Sequence, residues 1–152
     1  MTLEDRVHQA SFRSPAEEAG VSVLVAGAHL AHLLEEVCST QGITHDQYNV
    51  LRILRGVYPD GHPRYEIGRR LIERSPDVTR LLDRLERRGL VSRYRAEGDR
   101  RLSLARITKK GLALLDRLDE PIAEVHRRFV EALSESGQRE LARLCARIIP
   151  RD

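Results

Sequence analysis

Cysteine is scarce in this chain: only Cys38 and Cys145 occur, far apart and without CxxC spacing. That excludes a disulfide framework and a zinc knuckle, and both thiols are expected to stay reduced. Long apolar runs are also missing. The best candidate, residues 21–37, is interrupted by Gly27, His29, His32, Glu35 and Glu36. A membrane span needs about 20 apolar residues in succession, so none is expected. Residues 1–13 mix acids, bases and a few apolar side chains, unlike the basic stretch and apolar run of a secretory signal, and a cytoplasmic protein is expected. No HExxH, phosphate-cradling glycine loop, paired nucleophile and base or cleft-forming carboxylate pair is present, so the reading is of a non-enzyme with no cofactor and no metal site. Lysine is nearly missing too, confined to Lys109 and Lys110.

What is present is arginine, unevenly placed. The 152 residues carry a net charge of +3, and 41% are hydrophobic, enough for the core of one compact chain. Residues 64–106 hold 13 arginines against 7 acids, a local charge of +6, and the remainder sums to −3. A basic segment inside an acidic remainder suits a reader of nucleic acid, because neutralising phosphates supplies most non-specific binding energy. A solvated surface in a protein that uses Arg in place of Lys gives the same count, so charge leaves both readings open.

Periodicity orders the rest. Ser14 and Pro15 start a long helix whose apolar positions (Val21, Leu24, Val25, Ala28, Ala31, with Leu30, Leu33, Leu34 and Val37) form a face wider than one neighbour needs. Thr44 stands three residues before Gln47, a capping-box spacing, and opens a second helix that fades at Gly56. Pro59, Asp60, Gly61 and Pro63 read as a loop. Two short helices follow: residues 65–73, then a second with Ser75 as N-cap and Pro76 at its first position, running to Arg88 and stopped by Gly89. Val78, Leu81, Leu82 and Leu85 form the buried stripe of the second. Thr79, Arg80, Asp83, Arg84, Arg87 and Arg88 are left on its other faces.

A helix with an apolar back and an arginine-rich front, preceded by a short helix, fits a major-groove reader. β-prone runs at residues 90–95 and 102–107 flank a charged tip and make a hairpin, the wing of a winged helix, whose Arg100 and Arg101 can reach phosphates or a narrow minor groove. Thr108 then caps a helical region with apolar Leu112, Leu115, Leu118, Ile122, Val125, Phe129 and Leu133, longer than a small core requires. Pro121 inside it predicts a kink or a break into two helices. Ser134 caps a last helix striped by Leu141, Leu144, Cys145, Ile148 and Ile149. The fold class expected is mainly α with a small β-wing. Its organisation is an N-terminal dimerisation helix over residues 1–43, a winged helix-turn-helix over 44–108 and C-terminal dimerisation helices over 109–152.

The run from Asp99 through Arg101, Ile107, Thr108 and Gly111 resembles the wing signature of the MarR family: an Asp, an Arg two residues on, and after a short strand a hydrophobic residue followed by Thr-x-x-Gly. Residues 78–93 resemble that family's recognition helix and the start of its wing, and the match is continuous over roughly residues 65–115. The resemblance implies a two-fold homodimer on a pseudo-palindromic double-stranded operator. It places Ser75, Pro76, Thr79, Arg80 and Arg84 toward the major groove and Arg100 or Arg101 at the wing. Arg80 is the candidate for bidentate contact with guanine, and a phosphate contact stands beside it as the alternative. Asp99 is expected to orient a neighbouring arginine, since phosphate repels a carboxylate. Pro76 and Asp77 depart from the small polar residues common there.

The resemblance also implies a repressor relieved by a small phenolic or other aromatic effector. Tyr48, Arg52 and His29 are candidates for its pocket and equally ordinary packing residues, so no effector contact is assigned. His29, His32 and Cys38, with Glu35 and Glu36 nearby, do not converge as metal ligands. Peroxide-sensing relatives carry their cysteine near the start of the first helix, whereas Cys38 ends it and Cys145 lies in an apolar stripe, so a redox switch is disfavoured. The competing readings are a winged-helix protein interaction module and a non-specific DNA binder without ligand response.

Overall fold

A computed structural model describes residues 11–72 and 77–150, with the side chain of Arg100 outside the described set. The long first helix, α1 (Pro15–Ser39), starts where Ser14 Oγ accepts the Glu17 amide and Pro15 takes the first turn. α2 (His45–Arg55) begins with the complete capping box: the Gln47 amide donates to Thr44 Oγ1, and the Thr44 amide to Gln47 Oε1. This satisfies two of the amides a helix start leaves unpaired.

The segment read as a loop ends in a two-residue strand, β1 (His62–Pro63), which pairs antiparallel with the later hairpin at Ala105 and Leu104. A strand this short has no periodicity of its own. It exists because the hairpin's edge is there to receive it, and Gly61 permits the approach, since a Cβ on it would lie 2.3 Å from the Ala105 carbonyl oxygen.

The first helix of the reading pair is α3 (Arg64–Arg70), shorter than expected. Leu71 leaves helical backbone (ψ 146°) and is buried, while Ile72 remains exposed. The reading helix, α4 (Val78–Arg87), starts later than expected. Its cap is Asp77, whose carboxylate accepts the Arg80 amide at 3.1 Å, in place of Ser75. Asp caps as well as Ser does, and here its oxygen is the one that meets a free helical amide. Ser75 and Pro76 themselves lie outside the described residues. Val78, Leu81, Leu82 and Leu85 pack inward as the stripe predicts.

Gly89, at φ 69°, turns the chain out of α4 into β2 (Val91–Ala96) and β3 (Asp99–Ile107). The hairpin pairs Val91 with Ile107 through Arg95 with Ser103, then slips to Ala96 opposite Asp99. Its tip is therefore Glu97 and Gly98, tighter than the six-residue tip expected, and Gly98 sits at φ 81° as such a turn demands. The sheet order is β1-β3-β2.

Thr108 caps α5 (Lys109–Phe129), which runs through Pro121 as one helix and does not break in two. Leu114, Leu115, Leu118 and Ile122 are buried on the core on both sides of the proline, and that packing holds the helix together where one backbone donor is lost. α6 (Glu135–Ile148) starts at Ser134. The core lies between α2, α4, α5 and the root of the hairpin, with Leu51, Leu54, Ile67, Leu85, Leu90 and Ile107 fully enclosed. The whole is a mainly α winged helix-turn-helix flanked by N- and C-terminal helices. α1 is long and apolar enough to cross a membrane by length and composition, which the broken apolar run did not suggest. Two of its residues, Leu34 and Cys38, are buried on the core, and Leu24 is 72% exposed.

Candidate nucleic-acid interface

At 100° per residue, the α4 stripe facing the core leaves two outer rows. Arg80, Arg84 and Arg87 form the front, and Thr79, Asp83 and Glu86 the edge nearest the hairpin. The two rows have opposite charge, and the hairpin resolves the conflict. Arg93 on β2 donates through Nε to Glu86 at 2.9 Å, through Nη2 to Glu86 at 2.7 Å and also to Asp83, while its backbone amide donates to Glu86 at 3.2 Å. The guanidinium holds the Glu86 carboxyl below the usual carboxylate range, and Glu86 and Asp83 raise Arg93 in turn. Both acids are thus occupied before any ligand arrives.

The front row is left cationic. Among the described residues Arg80 and Arg84 are exposed and their side chains have no hydrogen bond or ion pair. Arg87 donates to the Asp83 main-chain oxygen at 3.3 Å. Thr79 is exposed beside them and lines, with Arg64, Leu82, Arg93, Ser103 and Ala105, a cavity of about 220 Å³ between α4 and the hairpin.

On the wing, Arg101 is exposed and its side chain is unpaired among the described residues, while its backbone amide donates to Asp99 Oδ1 at 2.9 Å. Asp99 therefore shapes the turn through the main chain of an arginine, a more local job than orienting a guanidinium. Arg95 is a residue the sequence reading missed. It is exposed and unpaired among the described residues, two positions beyond Arg93 and so on the same face of β2. The period of two along the strand was the signal for it. Arg106 is held over the Tyr94 ring, 4.5 Å from its centroid, and Arg88 is turned toward main-chain oxygens of Gln41 and Gly42, away from the front row. Arg100's side chain lies outside the described residues.

A second cavity, of about 260 Å³, opens between α1, α2 and α5, lined by Leu34, Tyr48, Asn49, Arg52, Ile122 and His126 among others, including Ile72 just after α3. Tyr48 and Arg52 are in its wall as the pocket reading had it. His29 is not; it packs near the Phe129 ring, with centroids 6.4 Å apart. Burial pushes the Tyr48 hydroxyl up, opposed by Arg52 and Arg55. Arg55 bridges α2 to α5 through two 2.9 Å bonds to Asp119. Cys38 is fully buried, and burial, aided by Glu35, pushes its thiol up to about 12. Cys145 is half-buried, because α6 has no buried residue in the single chain.

Comparison with known proteins agrees with this geometry. A family model described as the MarR family matches residues 43–103. The HTH-type transcriptional regulator MhqR of Bacillus subtilis is 30% identical over 111 residues, 72% of each chain. A MarR transcription factor from Planctomyces limnophilus is 37% identical, with a TM-score of 0.69 over 90% of this chain and 98% of that one. A mutant E. coli MarR complexed with operator DNA has the same fold, with a TM-score of 0.80 over 93% of this chain and all of that one, at 23% identity.

Proposed function

The chain belongs to the MarR family of transcription regulators, and from that premise we propose that it binds a pseudo-palindromic operator as a homodimer, represses transcription there and is released by a small aromatic effector. The observation that carries the DNA reading is the division of labour on α4. Arg93 engages both acids on one edge, leaving Arg80 and Arg84 on the front without a partner among the described residues. Thr79, Arg80 and Arg84 face the major groove in this reading, and Arg101, Arg95 and Arg100 serve the wing. Ser75 and Pro76 keep their place as groove-facing candidates from the family pattern. Arg80 reads a guanine edge through a bidentate contact.

Two protomers meet through α1 and α6, whose apolar side chains (Leu24, Leu141, Leu144 and Ile148), with Ile149 directly after α6, are 40% or more exposed in the single chain. The effector site is the 260 Å³ cavity, just below the usual range for small-molecule pockets, with Arg52 to pair an anionic group and Tyr48 to cover a ring. A regulator of this kind works in the cytoplasm.

The test is a gel-shift titration against the DNA flanking the protein's own gene, at several salt concentrations and with an unrelated duplex as competitor. Selective binding is expected, with log affinity falling by about 0.9 per phosphate contact per unit log salt. Arg80→Ala should both weaken binding and blur the preference among operators; an equal loss on every duplex reassigns Arg80 to a phosphate. Hydroxybenzoates added to the same titration should release DNA from wild type and fail to do so with Arg52→Ala. A flat salt response would sink the DNA reading.

A further inference from the structure

We propose that Arg88, although it continues the arginine-rich pattern of the reading helix, is a positioning residue that sets the spacing of the two reading helices without touching DNA. The proposal rests on the operator-binding dimer argued above. Arg88 directly follows α4, and its side chain leaves the reading front for the end of α1. It donates through Nη1 to the Gly42 oxygen and through Nη2 to the Gln41 oxygen at 3.1 Å.

The place it reaches receives no cation from its own helix. The last turn of α1 has no basic residue of its own. The chain closes there through Gln41 and Ile43 amides donating to Cys38 O and the Gly42 amide to Ser39 O, which leaves the Gln41 and Gly42 oxygens for Arg88. A helix C-terminus carries partial negative charge, so a guanidinium from another element satisfies both the dipole and two oxygens at once. The junction is tied from α5 as well. Lys110 Nζ donates to the Arg88 oxygen at 2.7 Å, and Arg117 Nε to Gln41 Oε1 at 2.9 Å. Arg88 therefore bonds the end of the reading helix to the turn that directly follows the helix we assign to the dimer interface. In a two-fold dimer the position of that bond fixes how far apart the reading helices stand, and half-site spacing is matched to that distance.

Substitution by lysine separates this role from a DNA contact. Lys keeps the charge for a phosphate but presents a single ammonium where the guanidinium bridges two oxygens. We expect Arg88→Lys and Arg88→Ala each to lose operator affinity on the order of tenfold, the scale of a lost charge-assisted hydrogen bond. Both should also lose the preference of wild type for the natural half-site spacing over an operator lengthened by one base pair. The salt slope should match wild type, and circular dichroism should show a folded protein. The proposal is overturned if Arg88→Lys binds like wild type while Arg88→Ala lowers the salt slope by about 0.9 per protomer, the mark of a phosphate contact. It is equally overturned if both variants keep the spacing preference. Wild type that prefers no operator would overturn the operator reading itself and this proposal with it, whereas an unchanged preference in the variants overturns the proposal alone.

Discussion

Arg80 and Arg93 belong to the same basic stretch, and what separates their roles is the company each keeps. Arg93 has two carboxylates within reach from the facing helix, Arg106 has the Tyr94 ring and Arg88 has two carbonyl oxygens, while Arg80, Arg84, Arg95 and Arg101 have none of these among the described residues. The sequence showed the concentration of arginine but not this division, because the deciding partners lie on other elements. Cys38 is a similar case. Its position at the end of α1 argued against a sensor role, and its enclosure gives the physical reason: a thiol pushed up to about 12 is thiolate in only about one molecule in ten thousand at pH 8. Raising the pH toward that value increases reactivity, and lowering it diminishes reactivity further. Native protein treated with iodoacetamide at pH 8 should therefore show no Cys38 adduct by mass spectrometry until denaturant is added; rapid labelling of the folded protein would contradict the burial.

Helix starts were legible because an N-cap is settled within four residues. Ser14, Thr44, Thr108 and Ser134 each accept the expected amide. At the reading helix the sequence pattern pointed to Ser75 with Pro76 behind it, but the helix begins after Asp77, two residues on. β1 and the unbroken course of α5 were out of reach, since one depends on a distant strand edge and the other on core packing around Pro121. Gly111, part of the family pattern, shows how an element junction constrains a residue. A Cβ there would stand 2.4 Å from the Leu90 oxygen and 2.6 Å from Ile107 Cγ1, pressing the first turn of α5 off the root of the wing. Gly111→Ala should destabilise the fold by about 1–3 kcal/mol in urea titrations, despite the better helix propensity of alanine. A gain of about 1 kcal/mol, the propensity difference alone, would show that the junction yields.

At the scale of the molecule, the apolar residues fall into two populations. One encloses the root of the wing and the back of α4; the other, on α1 and α6, stays open in a single chain. Exposed large side chains at Leu24, Leu144 and Ile148 are costly unless covered, and a second copy is the occupant we assign. Leu144→Glu combined with Ile148→Glu should sediment as a monomer and lose most of its operator affinity, because one reading helix alone spans one half-site. A monomeric wild type, or an unaltered dimer in the variant, would remove α6 from the interface.

The sequence by itself determined the order of the helices and the hairpin, the caps at Ser14, Thr44, Thr108 and Ser134, the buried stripe of the reading helix, the basic middle and the family to which the chain is similar. All of these are local or compositional, readable from spacing along a few turns or from counting charge. Tertiary structure alone decided which arginines are engaged and which are left open, where the two-residue strand joins the sheet, that α5 continues through its proline, and that Tyr48 and Arg52 share a cavity while His29 does not. Those outcomes depend on partners brought together from distant parts of the chain, and a hydrogen bond of about 3 Å is specified by the packing that places its two ends.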